Sequence, residues 1–457
     1  DKVLGQGETW QDRAFVVSDY YVSGYEPLHD SFGERVGMLY VGFLEAPFRL
    51  AKWVAMVTLF VFFASWGIWW SFFSSWLDKS LGLNGGQIGT IYSVNSLTTI
   101  AVLLFYGMTQ DRLVLRRHLV ILASSVMACL APFAIFVYEP LLTNSFALGV
   151  VVGAIYLPFG YTAAVGLLEA FSERLSRTYG FEYGQARMWG SFGYAIVALV
   201  AGFLFTINPH YNFWAGSALG LINLLIVLLW KAPVPEAEAN GQIEKASSPG
   251  IREMVAVLRM PALWVVIVLV FFSWTFYTVF DQQMFPDFYT GLFETKEIGE
   301  RTYGVLNSVQ VFVEAAMMGV VPIIMRKVGV KNTLLLGFAV MTIRVLGCAV
   351  FSDPIAVSCV KMLHSLEVPL CILPIFRYFT LHFNPALSAT MYMVGFQIAS
   401  QLGNVALSPV LGALNDAKGY HFTFFLISAT VAVSAVFGFF FLKNDNDHVL
   451  GDPFIRS

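Results

Sequence analysis

The sequence predicts an all-α membrane protein of twelve transmembrane helices arranged as two six-helix halves. Three observations predict it. Hydrophobic residues make up 57% of the 457 positions and charged residues only 12%, with a mean hydropathy of +0.68. That is more apolar surface than a water-soluble core of this length can hide, so lipid must be the solvent. Roughly twelve apolar runs approach the length of about 20 residues that a spanning helix needs. A polar segment divides these runs six and six, and basic residues collect on one side of them.

The first element, residues 1–50, is an N-terminal extension of different character. RAFVVSDYYVSGYEPLHDSFGERVGMLYVGFLE, from Arg13 to Glu45, alternates like short strands around the turn signal HDSFGE. Residues 1–45 resemble the tail of a Cache-type sensor domain. Such domains are extracytoplasmic and larger, so the segment is expected to be a joining without bearing on function. The chain starts at Asp1 and its first methionine is Met38, which suggests a fragment, a processed form or an unusual gene product. No signal-peptide pattern stands at the start.

The apolar runs lie near 53–77, 88–108, 119–138, 146–168, 188–207, 211–230, 263–288, 303–325, 333–351, 355–378, 387–411 and 421–442. They group into an N-terminal bundle, 51–230, and a C-terminal bundle, 261–443, followed by a tail, 444–457. Between the bundles, a linker at 231–260 contains KAPVPEAEANGQIEKASSPG, Lys231 to Gly250, whose Pro, Glu, Ala and Ser content cannot bury itself. Placing the N-terminal segment inside puts Arg112, Arg116, Arg117, Arg174, Arg177, Lys231, Lys245, Arg252, Arg259, Arg326, Lys327, Lys331, Arg377 and Lys443 on the cytoplasmic side. Only Lys79, Lys296, Arg301 and Lys418 fall opposite, which makes both termini cytoplasmic by the positive-inside rule. An internal echo supports the division, since GMTQDRLVLRR (Gly107 to Arg117) after the second run returns as PIIMRKVGVKN (Pro322 to Asn332) after the eighth.

Composition also excludes. A formal charge of −3 leaves no basic face for nucleic acid. The cysteines, Cys129, Cys348, Cys359 and Cys371, sit in apolar runs without metal-ligand spacing and are expected as buried thiols. There is no HExxH, GxSxG or phosphate-cradling glycine loop, so neither an enzyme nor a cofactor or metal protein is expected.

Ionisable residues inside the runs are informative, because each costs on the order of 3 kcal/mol or more unless paired or wet. They are Glu169, Arg187, Asp281, Glu314, Arg344, Lys361, His364 and Glu367. In KMLHSLE, positions three and six beyond Lys361 rotate by about 60° and 120°, which keeps Lys361, His364 and Glu367 on one broad helix face. A buried ion-pair network that only fixes packing explains a lone pair such as Asp281 with Lys361. A His and a Glu one turn apart near an Arg can instead exchange a proton. Aromatics complete the set: SWGIWWSFFSSW packs four tryptophans into one helix, of which Trp66 and Trp69 are mid-helix, and Tyr194 lies seven residues after Arg187. Such rings either anchor at interfaces or stack on the apolar faces of sugars.

From about Ala46 onward the chain resembles the oligosaccharide proton symporters of the major facilitator superfamily, in FEYGQARMWGSFGY, FDQQMFPDFY and KMLHSLEVPL. The resemblance implies that Glu169 and Arg187 bind sugar hydroxyls and that Tyr194 stacks on a pyranose ring; Trp66, Trp69 and Glu314 are expected as further sugar contacts. It implies that Glu367 carries the proton with help from Arg344, that His364 links the sugar and proton sites, and that Asp281 and Lys361 form a charge pair. Against the lactose branch, Thr278, Ser400 and Val311 replace charged positions. NSVQVFVEA with Gln310 and Glu314, and ASWGIWWS in the first span, are similar to the sucrose branch, which carries a shorter aspartate at Glu169. The match of GMTQDRLVLRR to the superfamily's loop motif is loose at Thr109, Gln110 and Val114. The expected function is proton-coupled uptake of sucrose or a similar disaccharide by alternating access across a bacterial inner membrane, with a monomer as the working unit. The alternatives are a galactoside or raffinose symporter, or a non-transporting sensor that uses the N-terminal segment.

Overall fold

In the computed structural model of the chain, the described residues are 9–16, 19–29, 33–113, 117–179, 181, 183–230, 258–383 and 391–445. The linker over 231–257, the tail beyond Asp445 and Arg116 lie outside them. The extension forms an antiparallel sheet in the order β1 (Trp10–Val16), β2 (Asp19–His29), β3 (Arg35–Leu44). The turn signal lies between β2 and β3, where Gly33 takes a positive φ of 83° that glycine accepts without a Cβ clash. The strand alternation read from the sequence therefore holds, as three strands. β3 passes directly into the first helix at Glu45.

Each apolar run becomes helical over its described residues; 387–390, the start of the eleventh run, lie outside them. The spans are α1 (Leu50–Ser80), α2 (Gly85–Tyr106), α3 (His118–Ala128 with Leu130–Asn144), α4 (Phe146–Ser176), α5 (Ala186–Ile207), α6 (His210–Leu229), α7 (Pro261–Thr290), α8 (Lys296–Val328), α9 (Val330–Val350) and α10 (Pro354–Phe379). The two parts of α3 meet at 53°. Pro132 lies just beyond this bend, where its missing N–H and its ring break the helix ladder. The last helical stretch, Val394–Phe441, has 48 residues. At about 1.5 Å per residue it would be more than twice as long as a bilayer core of about 30 Å. Gly419, at φ 80° and ψ 172°, interrupts it, giving α11 (394–418) and α12 (420–441) and twelve spans among the described residues.

Small residues set how the halves meet. They touch along α2 with α11 and along α5 with α8. A Cβ on Gly202 would lie 2.6 Å from the Glu300 carbonyl oxygen and one on Gly304 3.0 Å from that of Ala198, so only glycine permits this approach. Polar links join the same end of the molecule. The Gly85 and Gly86 N–H groups each donate to the Asp416 carboxylate at 2.9 Å, and Ser93 Oγ donates to the Val405 carbonyl at 2.7 Å. Lys79 Nζ of α1 lies 3.7 Å from the buried Asp287 of α7 and donates to Thr290. The end formed by the α1–α2 and α11–α12 turns is thus closed.

Two of the expected buried thiols are not buried. Cys348 and Cys371 lie inside, whereas Cys129 and Cys359 are exposed, because an apolar stretch of a membrane helix has an outer face that meets lipid rather than protein.

Candidate functional site

The middle of the C-terminal half holds a charge cluster built from α7, α8, α9 and α10. Arg344 is fully buried. Its Nε donates to Glu367 Oε2 at 3.0 Å, Nη2 lies 2.8 Å from Glu367 Oε1, and Nη1 donates to Asp281 Oδ1 at 2.9 Å. The guanidinium also lies over the Tyr277 and Phe280 rings, 5.3 and 4.9 Å from their centroids. Lys361 Nζ donates to the same Asp281 oxygen at 2.6 Å. Asp281 is therefore shared by two cations rather than paired with Lys361 alone, which the sequence spacing did not reveal. α10 is broken at Met362 and Leu363, between Pro354–Lys361 and His364–His382, yet Lys361, His364 and Glu367 still converge on one side.

His364 stands between two environments. Its Nδ1 is 2.9 Å from Glu367 Oε1 and 3.1 Å from the Tyr277 hydroxyl, and its Nε2 is 3.8 Å from Glu314 Oε2. Gln310 Nε2 holds that same Glu314 oxygen at 2.9 Å. Glu367 is sealed from solvent, whereas Glu314 and His364 line a cavity of about 240 Å³ between the halves.

Across this cavity the N-terminal half contributes a second charged group. Arg187 Nε of α5 donates to Glu169 Oε1 of α4 at 2.6 Å, with side chains 36% and 28% exposed. This exposure leaves guanidinium N–H groups for a ligand. Nη1 reaches Ser191 Oγ at 3.3 Å, and the group lies 4.3 Å from the Phe63 ring centroid. The ring of Tyr194 lies on α1 at Gly67, where a Cβ would meet it at 2.7 Å. The Tyr194 hydroxyl contacts Ser71 Oγ at 3.2 Å, and Asn307 Nδ2 of the other half donates to that oxygen at 3.4 Å.

The two singled-out tryptophans diverge. Trp66 lines the cavity, but Trp69 does not. Trp69 packs in the bundle interior, its ring 5.0 Å from Tyr161 and 5.3 Å from Phe73. Trp70, passed over in the sequence, takes the place beside Trp66 at the cavity wall. Adjacent helical residues differ by about 100°, so a one-residue shift exchanges ligand face for core. Tyr277 was also missed, although its position four residues before Asp281 places it on the same face.

Twelve spans in two halves, with a buried charge cluster beside a polar and aromatic cavity between them, define a membrane transporter of the major facilitator type. Within that class the chain belongs to the LacY proton/sugar symporter family, which matches residues 11–453. The match begins upstream of Ala46, so it runs through most of the extension that the motifs had left outside. The chain is 43% identical over 417 residues to the sucrose permease of Escherichia coli, covering 91% of this chain and 99% of that protein. It is 34% identical over 394 residues to the raffinose permease of Escherichia coli, covering 86% and 92%. Among solved structures, the nucleoside transporter NupG superposes with a TM-score of 0.71 at 15% identity, covering 86% of this chain and 99% of that one. The D-xylose-proton symporter gives 0.64 at 14%, covering 88% and 99%. At those identities the likeness concerns the fold alone.

Proposed function

We propose that the chain carries sucrose or a similar disaccharide into a bacterial cell together with one proton, by alternating access across the inner membrane with both termini cytoplasmic. The observation that carries this reading is the position of His364, which contacts buried Glu367 on one side and faces Glu314 at the cavity on the other. The identity to a sucrose permease favours sucrose, as do neutral Thr278, Ser400 and Val311.

Charge balance supports a single proton. Asp281, Glu314 and Glu367 carry −3 when ionised, Arg344 and Lys361 carry +2, and one added proton makes the cluster neutral. In this reading Arg187 and Glu169 take sugar hydroxyls, Tyr194 and Trp66 offer ring faces, and Arg344 matches Glu367 when the proton has left. Sugar contact at Glu314 reaches Glu367 through His364, which couples the two loads. Basic loops on the cytoplasmic side put the closed end at the periplasm, so the cavity faces inward, and return to the outside requires parting of Lys79 from Asp287 and of Asp416 from α2. No covalent step is involved.

Uptake of radiolabelled sucrose in a strain lacking its own permease tests the reading, with unlabelled raffinose, melibiose and lactose as competitors. Accumulation that a protonophore abolishes, competed best by unlabelled sucrose, is expected. Stronger competition by raffinose or lactose would reassign the substrate, and absence of any sugar uptake would defeat the proposal.

A further inference from the structure

A second cavity of about 370 Å³ adjoins the first and shares Trp66, Trp70, Tyr277, Gln282, Glu314 and His364 with it. Its far side is different in kind. Asn95 and Ser96 of α2 and Ser400, Gln401 and Asn404 of α11 line it, with no charged residue among them. Asn95 is 4% exposed and neither its amide nitrogen nor its amide oxygen has a hydrogen-bond partner. Asn404 is 8% exposed and its amide oxygen likewise has none. Buried amides in a membrane core are normally satisfied, so two orphaned ones at one cavity wall need a reason.

Their placement supplies one. Asn95 lies ten residues beyond Gly85, about 15 Å along the helix, and Asn404 stands equally deep in α11, so both are at mid-membrane level. The Ser93–Val405 hydrogen bond holds the two helices side by side just above them. The cavity at Arg187, about 240 Å³, is smaller than the roughly 300–1,000 Å³ of pockets that enclose small ligands. A ligand of two rings must extend past Trp66 and Trp70, and the second cavity is where that extension leads.

We propose that Asn95 and Asn404, one from each half, form an uncharged subsite that binds the hydroxyls of the disaccharide ring farther from Arg187. An amide both donates and accepts, as a sugar hydroxyl does, so each can satisfy a hydroxyl that the charged subsite does not reach. The inference rests on the proposed sugar-carrying function and adds a second binding region to it.

The test is equilibrium binding to the purified full-length chain and to Asn95→Ser, Asn404→Ser and the double variant, with sucrose and methyl α-glucoside as probes. The double variant should lose about tenfold in disaccharide affinity, as expected for one or two neutral hydrogen bonds, while methyl α-glucoside affinity changes less than twofold. Retained monosaccharide binding also reports that the variants fold. Disaccharide affinity within twofold of the unmutated chain, or an equal loss for both probes, would overturn the subsite. The unmutated chain separates the two claims: its preference among sucrose, raffinose and lactose judges the proposed function, and the variant-to-unmutated ratio for whichever it prefers judges the subsite.

Discussion

Arg187 is the residue on which sugar recognition turns in this account, because it offers a planar fork of donors at the cavity while Glu169 fixes its orientation. Lysine keeps the charge and loses the fork. Arg187→Lys should therefore weaken sucrose affinity by about 100-fold, the range expected when charge-assisted hydrogen bonds are lost. Equilibrium binding of sucrose to the purified variant measures this, and near-normal affinity would move Arg187 to the packing residues. Much at this scale was legible, since an ionisable residue in an apolar run is conspicuous whatever its neighbours. Trp69 and Trp70 were not separable, because the serines of SWGIWWSFFSSW lie on both sides of the helix, Ser65 near Trp69 and Ser74 near Trp70, and set no single polar face. Asp287 escaped notice for a related reason: the broken end of α7 buries it against Lys79 of the other half, and no spacing within one helix encodes such a partner.

At the scale of elements, the ends of α1 and α7 form a latch at the closed end. Asp287 is buried and Lys79 is its charged neighbour across the halves, so removing the charge leaves the Lys79 ammonium without its counter-ion. Asp287→Asn should shift the population toward opening at that end by about fivefold, the equivalent of roughly 1 kcal/mol. Labelling of an Ile88→Cys thiol, at a position that is 4% exposed and lies in the crevice with Gly85 and Asp287, by a membrane-impermeant maleimide reports the change. A labelling rate equal to that of the Asp287-containing parent would show that the pair does not bias the two states. Helix existence was readable from apolar length alone, whereas the breaks near Pro132 and at Gly419 were not read from the sequence. The size of each break is not legible there either, because the angle at a kink depends on what the helix packs against. The extension shows the same limit: alternation revealed strands, but the pairing of β1 with β2 needs contacts that periodicity does not carry.

For the whole molecule, the linker and the loop charges divided the chain into halves, yet their relative pose depends on contacts between helices distant in sequence, such as Gly202 with Gly304 and Asp416 with α2. The central claim is that proton and sugar sites, lying on opposite sides of His364, are coupled through the exchange of the two halves between faces. Glu367→Gln tests it most directly, since glutamine keeps the size of the side chain and imitates a carboxyl that never gives up its proton. A loaded carrier needs that group neutral, whereas return of the empty carrier needs the proton released toward Arg344. The variant should exchange internal for external sucrose at a substantial rate in counterflow and fail to concentrate sucrose against a gradient. Sucrose accumulation by the variant with an alkaline shift of the medium would contradict the account and direct attention to Glu314 or Asp281, and loss of both exchange and binding would make Glu367 a structural or sugar-binding group instead.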